Sequence, residues 1–131
     1  SKQFNLRNIY IGDIMEKIQI QGKDYITVNE RIKEFRKLHP QGQILNQVMA
    51  NADGQVMFQC KIIVDGVLVS TGHSYEKEGS SFINKTSYIE NCETSAVGRA
   101  LGMYGIGIDT SLASADEVAN AVTQQKEDFK L

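Results

Sequence analysis

The stretch FINKTSYIENCETSAVGRALGMYGIG, residues 82–107, decides the fold of this 131-residue chain. It predicts a helix over residues 86–104, because apolar and small side chains recur at the helical spacing of 3.6 residues. The apolar stripe consists of Ile89, Cys92, Ala96, Ala100 and Met103, widened by Val97 and Tyr104. Ser95, Gly98 and Gly102 gather on the far side of the helix, with Arg99 beside them.

The two glycines inside this helix predict a close contact. Each costs a helix about 1 kcal/mol relative to alanine. We therefore expect a second helix, a neighbouring subunit or a phosphate to approach the backbone at Gly98 and Gly102, and we favour close packing of another helix.

Three strand-like segments precede the helix and are joined by Asp53-Gly54 and Asp65-Gly66. Asp-Gly favours a two-residue type I′ turn, so an antiparallel meander is predicted. Two-residue loops fix the register and therefore the two faces of the sheet. The predicted core face is Leu45, Met49, Val56, Phe58, Cys60, Ile62, Val64, Val67, Val69, Thr71, His73 and Tyr75. The half-polar face is Ile44, Asn46, Val48, Met57, Gln59, Lys61, Ile63, Leu68, Ser70, Gly72 and Ser74, open to solvent, a ligand or another subunit.

Capping patterns place the remaining elements. Thr27 followed by Glu30 opens a helix that ends at Pro40 and Gly42, and Ser114 followed by Glu117 opens a short helix over residues 116–124. A hairpin around residues 21–23 precedes the first helix. The fold class is α+β: an antiparallel three-stranded meander packed on a long helix, with an N-terminal hairpin and helix and a short C-terminal helix. One domain spans residues 1–131, with 1–15 and 124–131 peripheral or flexible.

Composition excludes several classes of protein. A net charge of −2 argues against a generic basic DNA coater, so any nucleic-acid surface is a local patch. Two cysteines are too few for a disulfide framework or a structural zinc site. The chain has neither an apolar run of about 20 residues nor a secretory start. We expect a cytoplasmic protein of a bacterial host cell, with no membrane partner.

Catalytic motifs are missing from the sequence. There is no phosphate-binding loop, dinucleotide fingerprint or metal-ligand spacing, so we expect no enzyme, no cofactor and no metal. His73 is more simply a core histidine and Glu93 a member of an ion pair. A small hydrolase that uses Glu93 and His73 remains an alternative.

Residues 88–107 resemble the core helix of phage and bacterial single-strand annealing proteins, in the superfamily of the eukaryotic annealing protein of homologous recombination. The shared pattern is Glu-(Thr)-x-Ala-(x)-Gly-Arg-Ala-Leu followed by a small-residue exit. The segment YITVNERI (residues 25–32), the helix end at His39-Pro40 and the order helix, three strands, helix resemble the same family. The resemblance covers about residues 24–118.

This resemblance implies a non-enzymatic protein that binds single-stranded DNA and anneals complementary strands in phage-type recombination and DNA repair. It implies a homo-oligomeric ring with a positive groove, and a phage exonuclease or single-strand-binding protein as candidate partners. Family similarity suggests Arg31, Lys85 and Arg99 as phosphate contacts, and our assignment of the faces adds Lys61 and Tyr88. An oligomeric phage structural or accessory protein without DNA binding is the other alternative.

Overall fold

The computed structural model describes residues 15–128 and confirms the α+β class. Its elements in chain order are β1 (Lys17–Ile20), β2 (Lys23–Ile26), α1 (Val28–Leu38), β3 (Gln43–Ala52), β4 (Gln55–Val64), β5 (Val67–Lys77), α2 (Asn84–Tyr104) and α3 (Ala115–Asp128). The expectation that residues 1–14 and 129–131 are peripheral lies outside the described residues. Met15 packs against the core, and α3 extends four residues beyond its predicted end.

The local signals for helices and turns are confirmed. The Thr27 Oγ1 accepts a hydrogen bond from the Glu30 amide at 3.2 Å, and the Ser114 Oγ accepts one from the Glu117 amide at 3.2 Å. Helix α2 is capped at its C-terminus by Gly105, which adopts a left-handed φ of 110° and donates its amide to the Gly102 carbonyl. Local sequence therefore fixes where these helices begin and end.

The main sheet has the order β3-β4-β5 and is antiparallel throughout. Both Asp-Gly turns have positive φ, and the register beside them is as predicted, with Asn51 opposite Val56 and Val64 opposite Val67. Farther along, β-bulges shift both registers, one between Val48 and Ala50 and one opposite the step from Ile62 to Ile63. A shift of one residue moves every later side chain to the other face.

The predicted faces are therefore right for β4 and wrong for most of β3 and β5. The inner, helix-covered face contains Ile44, Asn46, Val48, Ser70, Gly72 and Ser74, which were expected outside. Leu45, Thr71, His73 and Tyr75 were expected in the core and lie on the outer face.

The core lies between the inner face of β4 and helices α1 and α2. It is built from Val56, Phe58, Cys60 and Ile62 on the strand, Phe35 on α1, and Cys92, Ala96, Ala100 and Leu101 on α2. The predicted stripe on α2 is correct at its centre, whereas Ile89 and Met103 at its ends are exposed. Gly72 allows the close approach: a Cβ there would lie 2.3 Å from the Ala100 nitrogen.

Candidate functional site

Arg31 lies in the interior, so its predicted role as a phosphate contact is not supported. Its side chain is fully buried, with 0% of its surface exposed. The guanidinium donates to the carbonyls of Gly98, Gly107, Ser111 and Leu112 at 2.8 to 3.1 Å. Burial lowers the pKa of Arg31, while the carboxylates of Glu117 and Asp116 act in the opposite direction. The side chain joins α1, α2 and the loop that follows α2.

The same contacts explain the glycines inside α2. A Cβ at Gly102 would lie 2.8 Å from the Arg31 Nη1 and 2.9 Å from the Leu112 side chain. A Cβ at Gly98 would lie 2.7 Å from the Val28 side chain. The close packing predicted for α2 is therefore confirmed, and its partners are α1 and the 105–114 loop.

The other predicted site residues do not converge on one surface. Arg99 is half-buried and pairs with Glu117 at 3.3 Å. Lys85 is exposed in the first turn of α2, and Tyr88 is half-buried against the core. Lys61 lies on the outer face of the sheet, across the sheet from the helices. One continuous track through all five residues is therefore absent from the described part of the chain.

A groove on the helix side is acidic. It has a volume of about 780 Å³ and lies between α1, β3 and α2. Its acidic lining residues are Glu16, Glu30, Glu93 and Asp116, and no Lys or Arg lines it among residues 15–128. Asp116 is partly used by the fold, since its carboxylate accepts the Val28 amide at 2.8 Å. The charge of this groove opposes the binding of a polyanion.

The outer face of the sheet has the opposite character, and it is the candidate site. We call it the open face. Cross-strand pairing places its side chains in rows: Gln43–Ile63–Leu68, Leu45–Lys61–Thr71, Gln47–Gln59–His73, Ala50–Met57–Tyr75 and Ala52–Gln55–Lys77. These rows contain no acidic residue within the described chain. The open face therefore combines two lysines with an aromatic side chain and several amides.

The side chains of the open face are placed to contact a ligand that has flat, unpaired rings. Tyr75 is 52% exposed. The His73 Nε2 lies 3.1 Å from the Gln59 Nε2, which links two strands across the face. Lys61 is half-buried between Leu45 and Thr71, so its stem rests on the sheet. Proteins that bind single-stranded nucleic acids use aromatic rings beside cationic side chains.

Sequence reasoning placed Gln59 and Lys61 on this face but assigned His73 and Tyr75 to the core, because it did not foresee the bulge in β5. Without the bulge, His73 and Tyr75 belong to the core; with it, they lie in line with Lys61. A signal was present in the spacing of Ser70, Gly72 and Ser74, three small residues on alternate positions. Small residues on one strand face match the small Cys92, Ala96 and Ala100 of α2. Ser70 donates to the Ala100 carbonyl at 2.7 Å.

The residues of the hydrolase alternative are separated. Glu93 lines the helix-side groove, whereas His73 lies on the open face, with the sheet between them. The described residues contain no cluster of three or more His, Cys, Asp or Glu side chains that is arranged to hold a metal ion. Among the helices in residues 15–128, none combines the length and apolar character needed to cross a bilayer.

Helix α1, the three strands and α2 form an α-β-β-β-α unit. Comparison with protein families matches residues 32–104, most of this unit and more than half of the chain. The chain belongs to the Slr1353 N-terminal dsRNA-binding domain-like family. The family match ends at Tyr104, the last residue of α2, and includes every row of the open face. Neither the curated proteins nor the solved structures contain a match to the chain.

Proposed function

We propose that this protein binds nucleic acid on its open face and performs no covalent chemistry. The observation that carries the proposal is that Lys61, His73 and Tyr75 lie on one face of the sheet, which no other element covers within residues 15–128 and whose rows contain no acidic residue. The description of the family, dsRNA-binding domain-like, supports the same general class of ligand.

At the finer level, we propose that the ligand is single-stranded DNA and that the protein anneals complementary strands. An unpaired strand exposes base faces to Tyr75 and base edges to the amides of Gln47 and Gln59, whereas a duplex keeps its bases stacked inside. Lys61 and Lys77 attract the phosphates. A strand held this way keeps some base edges free to pair with a second strand. Base pairing then supplies the free energy of annealing.

One copy offers few contacts, so several copies are needed. Three strands at a spacing of about 4.8 Å make a platform only about 10 Å wide between the outer strands. Weak sites repeated on a ring raise affinity through effective concentration. The resemblance to recombination annealing proteins of phages favours this assembly, and a phage recombination role is part of the same proposal.

The test is fluorescence anisotropy with a labelled oligonucleotide, followed by an annealing assay with two complementary strands. Loss of one stacked ring costs about 1–3 kcal/mol, so Tyr75→Ala is expected to weaken binding about 5- to 150-fold. Lys61→Ala is expected to weaken binding and to reduce the salt slope by about 0.7. Lys37→Ala and Phe82→Ala are the matched controls, because both residues are exposed and lie off the open face.

The results test the binding site, the annealing function and the choice of ligand separately. Wild-type affinity in both open-face variants would reject the site, and losses in Lys85→Ala or Arg99→Ala instead would move the site to α2. Binding without faster annealing would reject the finer function. A double-stranded RNA of about 16 base pairs serves as competitor, since that length suits double-stranded-RNA-binding domains. Tighter binding of this duplex than of the single strand would favour the ligand in the family description.

A further inference from the structure

Within residues 15–128, strand β3 forms an edge of the sheet with little of the usual protection. Its ten residues, QILNQVMANA, include neither a charged residue nor a proline. Natural edge strands are normally shielded by charge, proline, bulges or a covering segment, because their free N–H and C=O groups otherwise pair with another strand. The single bulge at Met49 leaves residues 43–48 as a regular run. Leu45 and Val48 along this run are 46% and 49% exposed.

The opposite edge, β5, has a similar composition. From Val67 to Tyr75 it contains no Lys, Arg, Asp or Glu. Val67 and Val69 are among the exposed apolar residues. In the described chain, the sheet therefore ends on both sides in a long, weakly charged strand whose outer backbone groups have no strand partner.

The helix layer is also displaced relative to the sheet. Helix α2 packs under β5 and β4 and barely reaches β3, where Asn46 donates to the Glu93 carbonyl at 3.1 Å. The inner face of β3 is therefore left partly open around Val48, beside the acidic groove. A copy that placed its β5 next to this edge would bring its own helix layer toward the open inner face.

We propose that β3 of one copy pairs with β5 of a second copy. Because β3 and β5 run in the same direction within one sheet, copies repeated in the same orientation pair these strands in parallel. The contact joins two different surfaces, so each added copy leaves one free β3 and one free β5. Such contacts close into rings or continue as filaments. The open faces of neighbouring copies then form one surface.

This contact gives the assembly part of the proposed function a physical basis, and it is measured without nucleic acid. Sedimentation velocity on the full chain compares wild type with Val48→Lys on β3, Val69→Lys on β5 and Met57→Lys on β4. Lysine is a natural protector of edge strands. Met57 is the matched control, because it is an exposed apolar residue whose strand is paired on both sides. We expect multi-subunit wild type and Met57→Lys, and self-association weakened at least about tenfold in each edge variant.

Mixing the two edge variants tests the pairing itself. The β3-blocked copy retains an intact β5, and the β5-blocked copy retains an intact β3, so an equal mixture is expected to form heterodimers that grow no further. A Val69→Lys variant that still dimerises alone would overturn the β3–β5 contact in favour of β3–β3 pairing. Disruption by Met57→Lys would overturn it in favour of the open face, and a monomeric wild type would overturn it altogether.

Folding is controlled by circular dichroism. If Val48→Lys does not fold, Gln47→Lys repeats the test on the same edge without removing an apolar side chain. The assembly result is independent of the nucleic-acid result: a monomer that still binds single strands rejects this contact alone, and an assembled protein that binds none rejects the proposed function alone.

Discussion

The two faces of the same three strands differ in what their side chains do. On the helix side, side chains donate hydrogen bonds that hold the fold together: Ser70 and Ser74 of the inner face donate to carbonyls of α2, and Arg31 donates to one carbonyl of α2 and three of the loop after it. On the open face, Lys61, Gln59 and His73 lie near one another, and no helix or strand among residues 15–128 packs over them. The comparison shows that where a Lys or Arg lies in the fold, rather than its presence in the sequence, decides whether it has a structural or a binding role.

The largest expected effect comes from removing Arg31, which tests the structural side of this comparison. Arg31→Met leaves the carbonyls of Gly98, Gly107, Ser111 and Leu112 without their donor. A buried polar group left without a partner costs about 1–3 kcal/mol, so we expect a loss of about 4 kcal/mol or more in the free energy of unfolding in urea. This is a large share of the stability of a typical domain.

Arg36→Met on the same helix is the matched control, since Arg36 is exposed. It is expected to change the free energy of unfolding by less than about 1 kcal/mol. Arg31→Lys is expected to recover little, because an ammonium lacks the planar fork that reaches several carbonyls. A stable Arg31→Met variant with weakened nucleic-acid binding would contradict the structural role and restore the phosphate contact.

The sequence contained enough to predict the buried Arg31, although we grouped it with the phosphate contacts. Arg31 lies three residues after Val28 and four before Phe35, so helical spacing places it on the apolar stripe of α1. The cations Lys33, Arg36 and Lys37 fall on the exposed side. Turns, caps and helices were predictable because each depends on a few neighbouring residues.

The bulges were a different problem, because each depends on how two distant segments pack. Asp-Gly turns set the register only beside the turn. The residues next to Met49 and Val69 carry no sequence signal for a β-bulge. The candidate site depends on that register, since it decides whether His73 and Tyr75 face α2 or solvent. The small residues Ser70, Gly72 and Ser74 carry the information, but only when they are compared with the small face of α2.

An intermediate loss in the free energy of unfolding is expected from Gly72→Ala, which tests how closely the inner face of the sheet packs against α2. The new Cβ would lie 2.3 Å from the Ala100 nitrogen and 2.9 Å from the Ala96 carbonyl oxygen. Backbone atoms cannot move aside as a flexible side chain can, so α2 must shift as a whole. Such overpacking costs about 1–3 kcal/mol.

Thr71→Ala is the neighbouring control, because Thr71 precedes Gly72 and lies on the open face. We expect its free energy of unfolding to stay within about 0.5 kcal/mol of wild type. Equal stability of both variants in thermal or urea unfolding would show that the two faces of β5 are packed alike, against the register described here.

The smallest expected effect concerns the two cysteines. Their reactivity measures how accessible the inner face is under native conditions. Cys60 and Cys92 are fully buried, and burial raises the pKa of Cys60 to about 12 and also raises that of Cys92. A raised pKa keeps both thiols protonated in the folded chain, whereas in the unfolded chain they ionise near their ordinary value of 9.0. Their contribution to stability is therefore complete below about pH 9 and declines at higher pH, over a range that extends to about 12 for Cys60.

Thiolate is the reactive form, so a disulfide reagent at pH 8 is expected to label native wild type only as fast as the chain opens. Met57→Cys, one strand position from the core on the open face, adds a thiol that we expect to react at the rate of an exposed cysteine. Comparing the three thiols in one protein measures the difference between the faces directly. Rapid labelling of Cys60 in a folded protein would mean that α2 separates from the sheet without global unfolding. The inner face would then be accessible to ligands as well, and the division of roles between the faces would fail.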